Sequence, residues 1–373
     1  MMDKANRLLR ATVLLTAIGS MAIASPAVEA SLSIVSRAAI PTATAASALR
    51  TQAVASSLVD VTSGRRLSEE NGDREMRIAS LTKIMTAIVA IENGRLEDVV
   101  TVSPGAAGKE GSSLYLKAGE KIKLGNLLYG LMLRSGNDAA TAIAEHVGGS
   151  LDGFVYLMNR KAEELGLAHS HFANPSGLDQ EGHYSSANDL ARLTAYALHD
   201  KTFSSIVSTK VKTAPNPHDK WEYKWVNKNK MLFQYDGADG VKTGYTKKAL
   251  RCLVSSATRN GQQLVAVTLN DRNDWMDHRR MLDYGFSAYP LQTVIKKGEV
   301  VAGYPFVTVS DFRYPFAAGE REKLRIRIVP AASNTIDYAF GDRGKLNFRL
   351  NDQPIGSIGL VALKPEASGA GSD

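Results

Sequence analysis

The chain has 373 residues, 44% of them hydrophobic and 22% charged, enough for two domains with a sizeable core and unlike a disordered composition. Its 45 Lys and Arg against 38 Asp and Glu leave a net charge of +7, which suits peripheral work near an anionic surface such as membrane lipid or wall polymer. No basic run with interleaved aromatics accompanies the excess, which excludes a nucleic-acid binder, and the single cysteine, Cys252, excludes an internal disulfide.

In chain order, Lys4, Arg7 and Arg10 form a basic n-region, and the uncharged run from Ala11 to Ala24 is of signal-peptide length. Ser25-Pro26-Ala27 and Val28-Glu29-Ala30 offer small residues for cleavage. The run is short for a membrane span. Residues 1–30 therefore read as a cleaved secretory signal, with an uncleaved anchor as the alternative, and the mature protein is expected outside the cytoplasm. Residues 31–50, rich in Ala, Ser and Thr without periodicity, read as a linker.

A first domain is expected over 51–290. Ala53 to Val61, the turn Thr62-Ser63-Gly64 and Arg65-Arg66-Leu67 predict a β-hairpin. A helix follows from about Ser80, with Ile84, Ile88 and Ile91 as its apolar stripe. A second helical block runs from Leu124 to Leu133 and stops at Arg134-Ser135-Gly136-Asn137; helix resumes over Asp138–Val147 and again over Phe154–Leu165. Asn174-Pro175-Ser176-Gly177 is a loop. The runs Leu253–Ala257 and Leu264–Leu269 flank Arg259-Asn260-Gly261, and Asn-Gly is the strongest short hairpin signal. Lys242-Thr243-Gly244 precedes this hairpin, on or beside a strand, and Trp275 to Phe286 predicts a helix packed back on the sheet. Beyond about 290 the texture changes. Leu324 to Ile328 alternates cleanly, and Phe348–Leu350 and Ile358–Val361 are further short strands, so a small β domain is expected over 291–365, then a polar tail over 366–373.

Ser80-Leu81-Thr82-Lys83 carries the chemistry. Residues i and i+3 share a helix face, so Lys83 can take the proton of a Ser80 hydroxyl in nucleophilic attack, provided burial or a second cation keeps its amine neutral. Lys242 is the natural second cation. A lone S-x-x-K occurs by chance about once in a chain this long, and Ser-Gly-Asn alone is ordinary turn chemistry. Order and context lift the set Ser80/Lys83, Ser135/Asn137 and Lys242-Thr243-Gly244. No G-x-S-x-G elbow competes, Cys252 lies in an apolar run, and the seven histidines lack metal spacing such as H-E-x-x-H; neither metal nor cofactor is called for.

The three boxes, with Phe172-Ala173-Asn174-Pro175-Ser176-Gly177-Leu178 and Asp239-Gly240-Val241-Lys242-Thr243-Gly244-Tyr245-Thr246, resemble the low-molecular-mass D-alanyl-D-alanine carboxypeptidases, serine penicillin-binding proteins, from about Ala53 to Tyr289. The resemblance implies an α/β domain with an antiparallel sheet and a helical subdomain, of the serine β-lactamase/transpeptidase-like kind, followed by an all-β domain. It implies removal of the last D-alanine from peptidoglycan stem pentapeptides through an acyl-enzyme, and acylation by β-lactam antibiotics. Ser80, Lys83 and Ser135 are then catalytic, with Ser135 relaying the proton to the leaving amine. Asn137 binds the substrate amide, Lys242, Thr243 and Thr246 hold the terminal carboxylate, Ser80 and Tyr245 N–H groups form the oxyanion hole, and Gly244 counts among the substrate-binding residues. Two departures stand out. The family usually shows an Ala-Gly pair after the last box, where this chain has Ala249-Leu250, and residues 351–373 contain Pro354, several glycines and an acidic end in place of an amphipathic anchoring helix. An endopeptidase acting on cross-links remains open. A serine β-lactamase lacks its E-x-x-L-N glutamate, the nearest approach being Glu164-Leu165-Gly166-Leu167-Ala168, and a wall-binding pseudoenzyme would not need the intact set.

Overall fold

The computed structural model describes residues 49–363. The expected signal segment and the polar tail fall outside the described residues, as does nearly all of the expected linker.

The first half runs β1 (Ala53–Asp60), β2 (Arg66–Glu70), a 3-10 turn (Ala79–Thr82), α1 (Lys83–Asn93), β3 (Val99–Thr101), β4 (Lys121–Lys123), α2 (Leu124–Tyr129), a π turn (Gly130–Arg134), α3 (Asn137–Gly148) and α4 (Leu151–Glu164). It continues with α5 (Ala187–Leu198), α6 (Lys201–Ser208), the hairpin β5 (Val211–Ala214) and β6 (Tyr223–Val226), α7 (Met231–Gln234), β7 (Ala238–Thr246), β8 (Leu250–Arg259), β9 (Gln262–Asp271) and α8 (Asp274–Ala288). Five strands form one antiparallel sheet in the order β2-β1-β9-β8-β7. β1 and β9 lie at its centre although some 200 residues separate them, so the sheet closes only when both ends of the domain meet.

Both faces of that sheet are covered, and β9 shows it residue by residue. Leu264 and Ala266 join Leu58, Met281 and Leu282 beneath α8. Val265, Val267 and Leu269 point the other way, into the large core shared with α1, α3, α4 and α5. A strand buried on both faces reads as an almost unbroken apolar run, and Leu264-Val265-Ala266-Val267 is one. The Asn260-Gly261 turn joins β8 to β9 with both residues at positive φ (51° and 76°), the geometry that two-residue hairpins require.

The remainder is all β. β10 (Leu291–Ile295) pairs with β12 (Phe312–Pro315). A four-stranded sheet takes the order β11 (Phe306–Thr308), β15 (Gln353–Ala362), β14 (Asp342–Leu350) and β13 (Leu324–Pro330), with a one-turn helix α9 (Ile336–Ala339) before β14. Its separate core contains Val294, Tyr314, Phe316, Leu346, Phe348 and Leu360, with Phe312 stacked on Phe348 at 3.8 Å between centroids. The α/β plus all-β organisation expected from the sequence is thus the one observed. No helix among the described residues is long and apolar enough to cross a membrane.

Candidate active site

Ser80 sits in the 3-10 turn that leads into α1, and Lys83 is the first residue of the helix proper. The side chain of Lys83 is wholly buried. Its Nζ lies 3.2 Å from Ser80 Oγ, 2.7 Å from Asn137 Oδ1 and 2.5 Å from Ser176 O. Two of these neighbours can only accept. A neutral amine satisfies them with its two N–H bonds and keeps its lone pair for the Ser80 hydroxyl proton. Burial lowers the Lys83 amine well below the ordinary lysine range, the charges of Lys242 and Lys228 lower it further, and Asp138 opposes them.

Asn137 begins α3. With Oδ1 accepting from Lys83, its Nδ2 donates to Glu110 O at 2.7 Å, and its backbone N–H donates to Ser112 O at 2.7 Å. Ser135 ends the π turn in the left-handed region (φ 68°), and its buried Oγ has no hydrogen-bond partner among the described residues. Next in sequence, Asp138 is buried and accepts from Ser113 Oγ (2.6 Å) and from the N–H groups of Leu114 and Leu116. That carboxylate binds the 112–116 loop to the start of α3 and so fixes one wall of the site.

The third box lies on β7, an edge strand of the sheet. Lys242 is 1% exposed, and its Nζ donates to Thr243 O at 2.7 Å. Burial, then the charge of Lys228, pushes its amine down to about 7. Lys228 is the cation both other lysines feel; it donates to Ser112 Oγ at 3.1 Å. Gly244 lets the strand approach the nucleophile, since a Cβ there would stand 3.2 Å from Ser80 N and 3.3 Å from the Ala79 Cβ. Tyr245 is exposed at the edge of the strand. Thr246 Oγ1 donates to Asp179 Oδ1 at 3.1 Å and accepts from Ala249 N at 2.9 Å, and Arg77 lies 3.8 Å from the same Asp179 oxygen. The Lys83 amine therefore contacts both Ser80 and Asn137, whereas no hydrogen bond joins Ser135 to them and Lys242 acts on Lys83 through its charge.

Sequence reasoning left several participants without roles. Ser176 supplies a carbonyl to Lys83 because Asn174 Oδ1 accepts from the N–H of Ser176 (3.2 Å) and of Gly177 (2.8 Å), folding the turn tightly. Gly177 (φ 82°) is confined to glycine, since a Cβ would fall 1.9 Å from Ala79 O. Turn chemistry in Asn174-Pro175-Ser176-Gly177 announced the loop but not its target. Lys228 has no local signal at all.

A family profile described as D-alanyl-D-alanine carboxypeptidase matches residues 42–273. The chain belongs to this family. It is 37% identical over 266 residues to the D-alanyl-D-alanine carboxypeptidase DacF of Bacillus subtilis, covering 69% of this chain and 68% of that protein. It is 34% identical over 254 residues to DacC of Escherichia coli, covering 64% and 62%. Among solved structures, the D-alanyl-D-alanine carboxypeptidase DacD of Francisella tularensis superposes with a TM-score of 0.67 at 27% identity, over 88% of this chain and 96% of that one. Penicillin binding protein 5 of Haemophilus influenzae gives 0.69 at 26% identity, over 84% and 97%. As a member of this carboxypeptidase family the chain is a serine hydrolase, and the matches to whole structures extend into the β-rich part.

Proposed function

We propose that the chain works outside the cytoplasm, after loss of its signal segment at Ala27 or Ala30, and removes the terminal D-alanine from peptidoglycan stem pentapeptides. The observation that carries the proposal is the buried Lys83 amine held against the Ser80 hydroxyl. Ser80 Oγ bonds to the scissile carbonyl carbon while its proton passes to Lys83 Nζ. The carbonyl oxygen takes negative charge under the N–H groups of Ser80 and Tyr245, each worth about 2.7–4 kcal/mol in comparable sites. As the C–N bond breaks, the proton passes through Ser135 to the departing D-alanine amine. Water then attacks the ester, again losing its proton to Lys83, and Ser80 is released. Asn137 orients the substrate amide, and Thr243 holds the terminal carboxylate, joined by Thr246 when its hydroxyl turns from Asp179 to the substrate, with Lys242 as buried positive charge behind them.

A β-lactam carbonyl follows the same first step, but the amine leaving group stays tethered and the ester persists. Fast release of that ester needs an additional base, and Glu164 does not supply one: it ends α4 and pairs with Lys161 (2.6 Å) on an exposed face. Endopeptidase cleavage of cross-links uses the same residues and is a difference of substrate. The test is release of D-alanine from a peptide ending in D-Ala-D-Ala, set against cleavage of a cross-linked muropeptide dimer. The proposal expects release from the peptide, loss of it in Ser80→Ala, and slower cleavage of the dimer. Turnover of the dimer alone would overturn the carboxypeptidase reading.

A further inference from the structure

Thr82, inside the Ser80-to-Lys83 turn, is wholly buried and has no part in the proton transfers above. Its Oγ1 lies 2.9 Å from Ala79 O and 2.7 Å from His183 Nε2. The other ring nitrogen of His183 receives a hydrogen bond from Ala173 N at 3.0 Å. That nitrogen is therefore unprotonated, and a neutral ring carries its proton on Nε2. Burial, followed by the charges of His171 and Arg77, depresses the imidazole to about 4 and keeps it in this neutral form. His183 Nε2–H then donates to Thr82 Oγ1, and the threonine's own proton is directed to Ala79 O.

Ala79 O and the Ser80 N–H belong to one peptide plane and point in opposite directions. Whatever fixes the oxygen aims the N–H. On the N–H side stands Gly244, whose absent Cβ would be 3.2 Å from Ser80 N; on the oxygen side Gly177 closes in without a side chain. Ala79 itself holds φ 47°, a conformation that non-glycine residues keep only where their surroundings over-determine it. A hydrogen bond to the carbonyl also polarises the peptide and strengthens its N–H as a donor.

We infer that Thr82 and His183 form a positioning relay, Ala173 N–H to His183 to Thr82 to Ala79 O, that locks the Ala79–Ser80 peptide and thereby aims the Ser80 N–H at the developing oxyanion. The inference rests on the reading of Ser80 as nucleophile and oxyanion donor. Neither residue touches the substrate; both act through the peptide ahead of the nucleophile.

Thr82→Val removes the hydroxyl with little change of shape, and Thr82→Ser keeps it. Rapid-quench kinetics with a chromogenic penicillin separate affinity before acylation from the acylation rate constant, and thermal melts report folding. The relay predicts that Thr82→Val lowers the acylation constant by about 10- to 100-fold, less than outright loss of an oxyanion donor, with affinity within about 3-fold. Thr82→Ser should recover most of the rate. Should Thr82→Val melt below assay temperature, Thr82→Ala gives the same comparison. Wild-type acylation by a folded Thr82→Val protein, or an equal fall in Thr82→Ser, would overturn the relay. Absence of a wild-type adduct on Ser80 would instead remove the reading beneath it.

Discussion

An exposed lysine amine titrates near 10.4 and would keep its proton in the presence of a serine hydroxyl. Lys83 leaves that range through burial first, and through the charges of Lys242 and Lys228 second. Lys242 is buried and turned to Thr243 O, so its charge reaches Lys83 more directly than its amine reaches solvent. Lys242→Ala should therefore raise the Lys83 amine and move the acidic limb of the kcat/KM profile to higher pH. At neutral pH both a D-Ala-D-Ala peptide and an ester lacking a free carboxylate should slow, by roughly 10-fold or more, and the peptide further still because it also loses the positive charge behind its carboxylate. Profiles for both substrates decide the matter; loss confined to the peptide, with an unmoved limb, would make Lys242 a direct carboxylate ligand. The Ser80–Lys83 pair was legible because one helical turn fixes its spacing. The contribution of Ser176 was not, since a backbone carbonyl leaves no residue signature and Lys83 meets it across 93 positions of sequence.

Among elements, the hairpins and the amphipathic helices were readable because their periodicity is local. α5 was not, for nine of its twelve residues are buried, several of them small alanines such as Ala187, Ala191, Ala195 and Ala197, and only Asn188, Arg192 and Tyr196 mark a narrow exposed face. The block over Leu124–Leu133 reads as one helix, but α2 widens into a π turn from Gly130, and this turn delivers Ser135 into the left-handed region. The unusual Ala249-Leu250 pair has a similar explanation. Leu250 holds φ 59° at the start of β8, a position suited to glycine, and still pairs with Thr246, so β7 and β8 stay in register. Relief of a left-handed leucine is worth about 1–2 kcal/mol, of which glycine's greater unfolded freedom returns about half. Leu250→Gly should raise the midpoint of thermal unfolding with the acylation rate preserved; a lowered midpoint would show that Leu250 packing outweighs its backbone strain.

At the scale of the molecule, Arg65 joins the two halves. From the β1–β2 turn its guanidinium donates to both Glu320 carboxylate oxygens and to Pro315 O, each at 2.7 Å, and lies over the rings of Tyr289 and Tyr314. Arg65→Ala should cost about 1–3 kcal/mol and split calorimetric unfolding into two transitions while acylation is unchanged. A single transition at the wild-type midpoint would remove Arg65 from that role. Acid should also weaken the fold. Burial holds His183 at about 4 and His278 at about 3, whereas both titrate near 6.5 when unfolded. Between pH 6.5 and 4 the unfolded chain thus binds up to two more protons than the native one. Asp271, pushed up to about 6 mainly by burial, runs the other way and offsets one of them. The net contribution of these three groups is then full above pH 6.5 and declines towards pH 4 by roughly 1.4 kcal/mol per unit, while the depressed amines of Lys83 and Lys242 make stability rise further with pH from about neutrality towards the ordinary lysine range. Denaturant titrations at pH 7.5 and 5 measure it, and equal stability at the two would refute the neutral-histidine assignment.

The central claim is that Ser80, activated by Lys83, forms the acyl-enzyme. Peptide mapping by mass spectrometry after brief exposure to a penicillin tests it most directly. A single penicilloyl adduct on the peptide containing Ser80, absent from Ser80→Ala and much slower to form in Lys83→Ala, is the predicted result. An adduct on any other residue, or undiminished labelling of a folded Ser80→Ala protein, would contradict it.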